Sequence, residues 1–507
     1  MNPRPLRRVL VANRGEIALR IMRACRDEGL ETVAVYSDAD RHAPFVRAAD
    51  RAIRIGPAAP AESYLRIEAL LAAASESGAD AVHPGYGFLS ERAAFAQAVA
   101  DAGLIFIGPP ASAISAMGDK TSARRLMAAA GVPIVPGSTA AMRDPAEAAR
   151  VATGIGYPVL VKAAAGGGGK GMRVVHRAEE LPAALTAAAS EALKSFGDGS
   201  VYLEKYIERP RHVEIQILAD HERTIHVGER ECSVQRRHQK LLEEAPSVAV
   251  NEALREKMGA AAIAAGAAVG YRGAGTCEFL LAASGEFYFL EMNTRIQVEH
   301  PVTEQVYGID LVREQLRIAA GKSMSVPRGK LVPRGWAIEC RITSEDPSNG
   351  LLPSSGVMRW MRAPSGPGIR WESGVETGSE VTLYYDSMLA KLIAYAPDRA
   401  GAIDVMQRGL AELSIVGVAT NVPFHRALLA DPDFVAGNID IQFLERRPDL
   451  LAPADDEATL MRLAVAAALL AEERRFARRV VATPANESGP RAVPSAWSAS
   501  ARRDALR

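Results

Sequence analysis

Residues 276–300 read TCEFLLAASGEFYFLEMNTRIQVEH, and their types and spacing could hold a metal ion against phosphates. Residues 276–281 have the character of a strand, Ser284-Gly285 supplies a turn, and residues 286–292 return as a second strand. Glu278 and Glu291 then fall near each other on adjoining strands. From Glu291 onward every second residue is polar: Glu291, Asn293, Arg295, Gln297 and Glu299. An extended chain has a side-chain period of two, which would put all five on one face. Two carboxylates and an amide oxygen are hard ligands suited to Mg²⁺ or Mn²⁺. An arginine and a glutamine beside them suit a small oxyanion, and the last glutamate is a candidate base. A half-exposed strand also alternates, but it ordinarily carries mixed Thr, Lys and Ser rather than an ordered acid–amide–base–amide–acid row.

Such a row needs a large scaffold. At 507 residues the chain exceeds one ordinary core, so two to four domains are expected. Hydrophobic residues make up 48% and charged residues 24%, the composition of a globular protein. Lys+Arg and Asp+Glu are both 60, so the net charge is zero, which argues against a nucleic-acid binder driven by bulk charge. The cysteines, Cys25, Cys232, Cys277 and Cys340, are scattered without a C-x-x-C. That spacing speaks against zinc or a disulfide framework and fits a reducing compartment. The basic start MNPRPLRR runs into a short apolar strand rather than a signal peptide, and no apolar run reaches membrane-spanning length. The expected location is cytoplasmic.

Residues 1–117 alternate strands and helices, the pattern of a doubly wound parallel sheet. A strand at 9–12 leads to a helix over 16–27 with Ile17, Ile21 and Ala24 on one side. Strands follow at 32–36, 81–83 and 104–107, with a helix over 61–77. The first strand–helix turn, Asn13-Arg14-Gly15, lacks G-x-G-x-x-G, so a nicotinamide cofactor is unsupported. His83-Pro84-Gly85-Tyr86-Gly87 follows a strand end, where open α/β sheets gather ligands.

Residues 118–325 carry most of the remaining chemistry. Lys120 opens a helix that Gly131-Val132-Pro133 ends. A strand over 157–162 finishes in Lys162 and meets a glycine run, Gly166 to Gly169, then Lys170-Gly171. No Ser or Thr follows Lys170, so this is not a Walker A loop. The chain re-enters a strand at 173–175. A strand–glycine loop–strand hairpin is a flap whose bare N–H groups can wrap phosphates. Residues 202–207 form a strand that bends before Pro210. Residues 211–218 alternate cleanly, with His212, Glu214 and Gln216 on one face. The densest charge run, ERECSVQRRHQKLLEEAP over 229–246, packs Gln235, His238 and Lys240 into a short window; such runs are ordinarily solvated. Residues 251–270 read as an Ala-rich packing helix.

Residues 326–448 read as an α+β domain. It holds an alternating strand over 336–342, on which Glu339 and Arg341 share a face, and a helix over 400–413. A helix over 456–479 precedes a tail rich in Ser, Ala, Pro and Arg that reads as disordered or a linker, so 449–507 stands apart.

Read together, EMNTRIQVEHPVTE, ANRGEIALR, HPGYGFLSE and YDSMLAK resemble the motifs of biotin carboxylases, members of the ATP-grasp superfamily, and the match runs from about Arg8 to about Arg446. The resemblance implies a lid over about 135–205 that closes on ATP, with Lys120, Lys162, Gly168 and Gly169 at the phosphates. It places Glu204, Lys205, Tyr206 and Ile207 at the adenine and His212 at ribose or phosphate. Gln235, His238 and Lys240 approach the γ-phosphate and bicarbonate. Glu278, Glu291 and Asn293 become metal ligands for Mg²⁺ or Mn²⁺ at two sites. Arg295, Gln297 and the Val298 backbone bind bicarbonate, and Glu299 becomes the general base. Arg341 holds the biotin enolate, with Tyr86 near the same pocket.

The implied activity is ATP- and bicarbonate-dependent carboxylation of biotin on a carrier protein, through carboxyphosphate, as the first half-reaction of an acyl-CoA carboxylase. Expected partners are a biotin carboxyl carrier protein or domain, a carboxyltransferase subunit, and a second copy of the chain or a larger complex. The stretch from Phe434 onward is similar to acyl-CoA carboxylase α subunits, which continue into a biotinylated domain carrying A-M-K-M. No Met-Lys-Met occurs here, so the carrier is expected as a separate protein or the chain as a piece of a longer one. The alternatives are another ATP-grasp carboxylate–amine ligase and a non-catalytic subunit of a carboxylase complex.

Overall fold

The computed structural model describes residues 6–138, 142, 144–163, 172–451 and 457–481. The chain divides into two units, residues 1–453 and 454–507.

Within the first unit, β1 (Arg8–Val11), β2 (Glu31–Ser37), β3 (Arg51–Gly56), β4 (Ala81–His83) and β5 (Ile105–Phe106) form a parallel sheet in the order β3-β2-β1-β4-β5. Alternate residues feed opposite faces. Val9, Val11 and Ala34 pack with Ile17 and Ile21 of helix Gly15–Asp27. Leu10, Val33 and Val35 pack with Leu70 and Ala74 of helix Ile67–Ser77. Both faces are covered, as a doubly wound sheet requires. The helix expected from residue 61 begins only at Ile67, after a single turn at Pro60–Glu62. Tyr64 is drawn out of that helix into the core, fully buried, where its hydroxyl donates to Asp40 at 2.6 Å.

The turns after β1 and β4 lock together. The Asn13 side-chain amide donates to the carbonyls of Pro84 at 2.8 Å and Tyr86 at 2.7 Å. Gly85 sits between them at φ +63°, and a Cβ there would stand 2.8 Å from the Asn13 amide nitrogen. Glycine is therefore required, and Tyr86 is held at the mouth of this sheet.

A small antiparallel sheet, β7-β6-β8, is built from β6 (Val159–Ala163), β7 (Arg173–Val175) and β8 (Val201–Lys205). Helices Pro145–Ile155 and Leu181–Phe196 cover it. Strands β6 and β7 pair as the expected hairpin. Its glycine segment, including Gly168 and Gly169, lies outside the described residues.

The remaining strands are β9 (Arg211–Ala219), β10 (Thr224–Arg236), β11 (Gln239–Ala245), β12 (Gly273–Leu281), β13 (Phe287–Asn293), β14 (Trp336–Thr343), β15 (Glu345–Asp346), β16 (Leu352–Pro353), β17 (Gly356–Val357), β18 (Trp360–Arg362), β19 (Ile369–Ser373), β20 (Glu380–Val381), β21 (Met388–Ala396) and β22 (Ser414–Val416). Eight of them form one antiparallel sheet in the order β13-β12-β9-β10-β11-β14-β21-β19. The C-terminal strands therefore extend the central sheet instead of building their own. Helix Glu252–Ala268, capped by Asn251, packs Met258, Ala262 and Ala265 against Val213, Ile215 and Ile217 of β9. Helix Arg399–Glu412 packs Ala402, Met406 and Leu410 against Cys340 and Ile342 of β14 and Leu392 of β21. Period two then sends His212, Glu214 and Gln216, and likewise Glu339 and Arg341, to the opposite side.

The row expected to run extended from Glu291 to Glu299 does not do so. Strand β13 ends at Asn293, and Glu299 caps helix His300–Tyr307. Pro301 opens this helix, and its Val302 and Val306 pack against Ala245, Ala337 and Ile393, which pulls the chain off the sheet. In the second unit, helix Glu457–Val481 exposes Met461, Val465, Leu469 and Leu470. The tail expected after it lies outside the described residues. Among the described residues, no helix is long and apolar enough to cross a membrane.

Candidate active site

The site is organised across the strands rather than along one of them. Glu291 on β13 faces Glu278 on β12, Glu278 faces Glu214 on β9, and Glu214 faces Arg230 on β10. Adjacent carboxylates in such a row repel unless cations intervene. Lys240, on β11, supplies the first. Its Nζ donates to Glu214 at 2.6 Å, Glu278 at 2.9 Å and Glu299 at 2.7 Å. The second is Arg230, fully buried, which donates to Glu214 at 2.5 Å, Gln216 at 2.7 Å and Gln297 at 2.9 Å. His212 Nε2 lies 3.0 Å from Glu278. Asn293 and Gln297 each donate an amide hydrogen to Glu278 at 2.8 Å.

These contacts decide the protonation states. Burial alone would raise the Glu278 carboxyl, but Lys240 and His212 outweigh it and hold Glu278 well below the usual carboxylate range. Glu299 behaves likewise. Burial opposes its charge, yet Lys240, Arg341 and Arg230 hold it low. Burial would lower the Lys240 ammonium, and Glu214, Glu278 and Glu299 instead raise it. His212 is raised too, because Glu278 outweighs burial. Lys240, Glu278 and Glu299 are thus ionised together at neutral pH.

Arg341 reaches the same lattice from β14. Its Nε donates to Glu243 at 2.6 Å and one terminal nitrogen donates to Glu299 at 2.9 Å. Arg295 donates to Glu91 at 2.9 Å and to the Asn293 side-chain oxygen at 2.9 Å. The Val298 carbonyl accepts from Lys391 at 2.9 Å. Tyr86 donates its hydroxyl to Glu16, whose carboxylate lies 3.3 Å from Lys391. So Lys240, Glu278, Asn293, Arg295, Gln297, Val298, Glu299 and Arg341 are brought together, with Tyr86 joined through Glu16 and Lys391. Glu291 stands at the exposed end of the transverse row.

A second cluster lies at the small sheet. Lys162 on β6 donates to Glu204 on β8 at 2.5 Å, and Arg124 of helix Lys120–Ala129 donates to the other Glu204 oxygen. Lys205 points elsewhere, to the carbonyls of Gly156 and Tyr157 at 2.9 Å each. The Tyr206 hydroxyl accepts from Gln442 at 2.8 Å, and Ile207 is half-buried beyond β8. Lys120 starts its helix after the Asp119 cap; its side chain lies outside the described residues. Gln235 is buried opposite Lys240 in the β10–β11 ladder. His238 does not join the cluster. It lies exposed in the Arg237-His238 turn, both at positive φ.

Patterning alone does not single out Arg230, Glu214, Glu243, Arg124 or Lys391. Glu214 shares the polar parity of His212, which is a signal. Arg230 and Glu243 sit inside a charge run that reads as solvated, and only the strand order buries them.

The donor set suits a hard divalent cation. Glu278 and Glu291 oppose each other across the β12–β13 ladder, with the Asn293 amide on the same strand as Glu291.

Family models match nearly all of the first unit. They are described as biotin carboxylase, N-terminal domain (residues 5–114), carbamoyl-phosphate synthase L chain, ATP binding domain (119–326), and biotin carboxylase C-terminal domain (339–446). A biotin carboxylase from Nostoc sp. is 52% identical over 439 residues, covering 86% of this chain and 98% of that one. The chain belongs to the biotin carboxylase family. A propionyl-CoA carboxylase alpha chain from Ruegeria pomeroyi is 45% identical over 494 residues, covering 92% of this chain and 72% of its own. Among solved structures, the biotin carboxylase domain dimer of Hydrogenobacter thermophilus 2-oxoglutarate carboxylase matches with a TM-score of 0.83 and 46% identity. It covers 89% of this chain and 100% of that one, and that structure is a complex with MgADP, ADP and bicarbonate. The carboxylate–amine ligase alternative is not favoured.

Proposed function

We propose that this chain carboxylates biotin at the expense of ATP and bicarbonate, with the residues below in the stated roles. The observation that carries the assignment of roles is the convergence of Lys240 and Arg341 on the two oxygens of Glu299, beside Gln297 and Glu278.

Bicarbonate is a poor electrophile, so its carbon must first be activated as carboxyphosphate. Arg295, Gln297 and the Val298 backbone orient bicarbonate so that one oxygen attacks the γ-phosphorus. The bond from that phosphorus to ADP breaks as the new one forms. Lys240, Lys162 and Lys120, with the glycine flap, neutralise the phosphate charge. Glu278, Glu291 and Asn293 would hold Mg²⁺ or Mn²⁺ at two sites, and the metal would supply positive charge to polarise the phosphates. Glu299, ionised throughout the neutral range, takes the bicarbonate proton. Carboxyphosphate then splits into CO₂ and phosphate. The phosphate takes the N1′ proton of biotin, Arg341 holds the enolate, and N1′ attacks CO₂. Glu204, Lys205, Tyr206 and Ile207 hold the adenine, His212 and Gln235 line the nucleotide, and Tyr86 borders the biotin pocket.

We assign the chain to three functional regions, 1–117, 118–325 and 326–448, followed by 449–507. A biotin carboxyl carrier, a carboxyltransferase and a second copy of this chain are the proposed partners, in the cytoplasm. The test is ATP turnover with bicarbonate, with and without free biotin. Biotin-stimulated ADP release is expected. Arg341→Ala retains ATP binding and loses biotin carboxylation by about a hundredfold or more; normal carboxylation of free biotin by that variant removes Arg341 from its role.

A further inference from the structure

Behind Arg341 the polar side of the sheet continues into groups that the mechanism does not use. Glu243 on β11 and Glu339 on β14 are direct cross-strand partners. Neither has any exposed surface. One oxygen of Glu243 accepts from Arg341, while its other oxygen and both oxygens of Glu339 have no hydrogen-bond partner among the described residues. Buried polar atoms are almost always paired, so three bare oxygens at one point of a sheet need an explanation.

The charged and titratable groups facing the pair are few. Arg341 and Cys340 come from β14, Lys240 from β11, Lys391 from β21 and Cys232 from β10. Glu299 faces it from the turn before helix His300–Tyr307, and Tyr86 from the turn after β4. Lys240 is already bound to three other carboxylates. Lys391 spends its contacts on the Val298 carbonyl and Glu16. Among the described residues no cation hydrogen-bonds Glu339, and Lys391 and Arg341 reach it only through space.

We propose that Glu243 and Glu339 share one proton, making them a positioning pair that fixes the Arg341 guanidinium from behind. Glu339 carries the O–H and donates it to the oxygen of Glu243 that Arg341 leaves free. Glu243 remains the anion that anchors Arg341 Nε. Burial, with Glu243 adding to it, pushes Glu339 well above the carboxylate range against the pull of Lys391, whereas at Glu243 the Arg341 guanidinium opposes burial most strongly. The pairing gives Arg341 two unequal anions. When Glu299 accepts the bicarbonate proton, its hold on the Arg341 terminal nitrogen weakens, while Glu243 keeps the other edge in place. This part rests on Arg341 holding the enolate.

The sign of the pH effect follows from linkage. A carboxyl raised in the folded state favours folding fully below its unfolded value, and that stability is lost as pH rises through the folded value. Glu339→Gln is neutral at every pH and lacks this loss. The Tm of the E339Q chain minus that of the wild type is therefore expected to rise from about pH 5 to about pH 8.5. A difference that stays level or falls overturns the shared proton, because an ionised Glu339 paired with Lys391 already contributes its full stability above the unfolded carboxylate value and leaves the difference level over this range. Should E339Q not fold, Glu339→Met, which likewise carries no titrating group, gives the same reading. The alkaline fall in biotin carboxylation should also move to higher pH in E339Q; an unmoved limb overturns the link to Arg341. Loss of the Arg341 role would show in Arg341→Ala activity alone and leave the Tm difference untouched.

Discussion

On the large sheet Lys240 is bound to three carboxylates from three different segments, and each of those carboxylates has at least one further donor. On the small sheet the arrangement is inverted. Lys162 and Arg124 both converge on the single carboxylate of Glu204. The two clusters are similarly buried, with side-chain exposures of 11% for Lys240, 15% for Lys162 and 12% for Arg124. Connectivity is what separates them. The first is fixed by the register of six strands and cannot shift without unpairing a charge. The second is a clamp between the lid and a helix outside it, and it opens by moving one acid. A rigid lattice suits orienting bicarbonate, and a single-point clamp suits a lid that must admit and release a nucleotide.

The largest expected effect comes from removing the hub of the lattice. Lys240→Met leaves Glu214, Glu278 and Glu299 without their common cation. Breaking a buried ion pair from one side costs on the order of 3–5 kcal/mol. Thermal or denaturant unfolding should show a loss of that size together with abolished carboxylation. A loss below about 1 kcal/mol would place this lattice with ordinary exposed ion pairs and end the contrast with the lid.

The middle effect tests the clamp. Glu204→Gln leaves Lys162 and Arg124 facing an amide, and losing one partner of a buried charge-assisted bond costs about 1–3 kcal/mol. The fold should survive. The KM for ATP should rise by roughly tenfold or more while the pH profile of the carboxylation step stays in place. A variant that binds ATP normally but loses kcat would make Glu204 part of the rigid lattice instead.

The same division explains what was legible before the structure. The β12–β13 hairpin could be read from alternation and the Ser284-Gly285 turn, and the doubly wound sheet from strand–helix alternation, because both signals are local. The match to family motifs named nearly every group that meets at Glu299. Arg230 and Glu243 were not legible, because their burial follows from β10 and β11 lying between β9 and β14, and strand order leaves no mark within a ten-residue window. The extended reading of residues 293–299 failed for a related reason. Period two persisted in the residue types, but Pro301, Val302 and Val306 claimed the chain for a helix. His238, read with its charged neighbours, lies exposed in the positive-φ turn at Arg237-His238, where no local signal marks its place.

The smallest expected effect lies at the lid's exit. Tyr206 follows β8, and its hydroxyl accepts from the side chain of Gln442, a long-range tie between the lid's last strand and the end of the first unit. Tyr206→Phe keeps the ring and removes only the acceptor. Gln442 is partly exposed and can turn to water, so the cost should be about 1 kcal/mol or less. If the lid is governed by Glu204, the KM for ATP should change by less than about twofold, a shift under 0.5 kcal/mol. A rise as large as that of Glu204→Gln would mean that the tie to Gln442 sets the lid's position and that Lys162 and Arg124 merely neutralise Glu204. The lid would then be a multiply anchored element like the large sheet, and the difference in connectivity between the two regions would disappear.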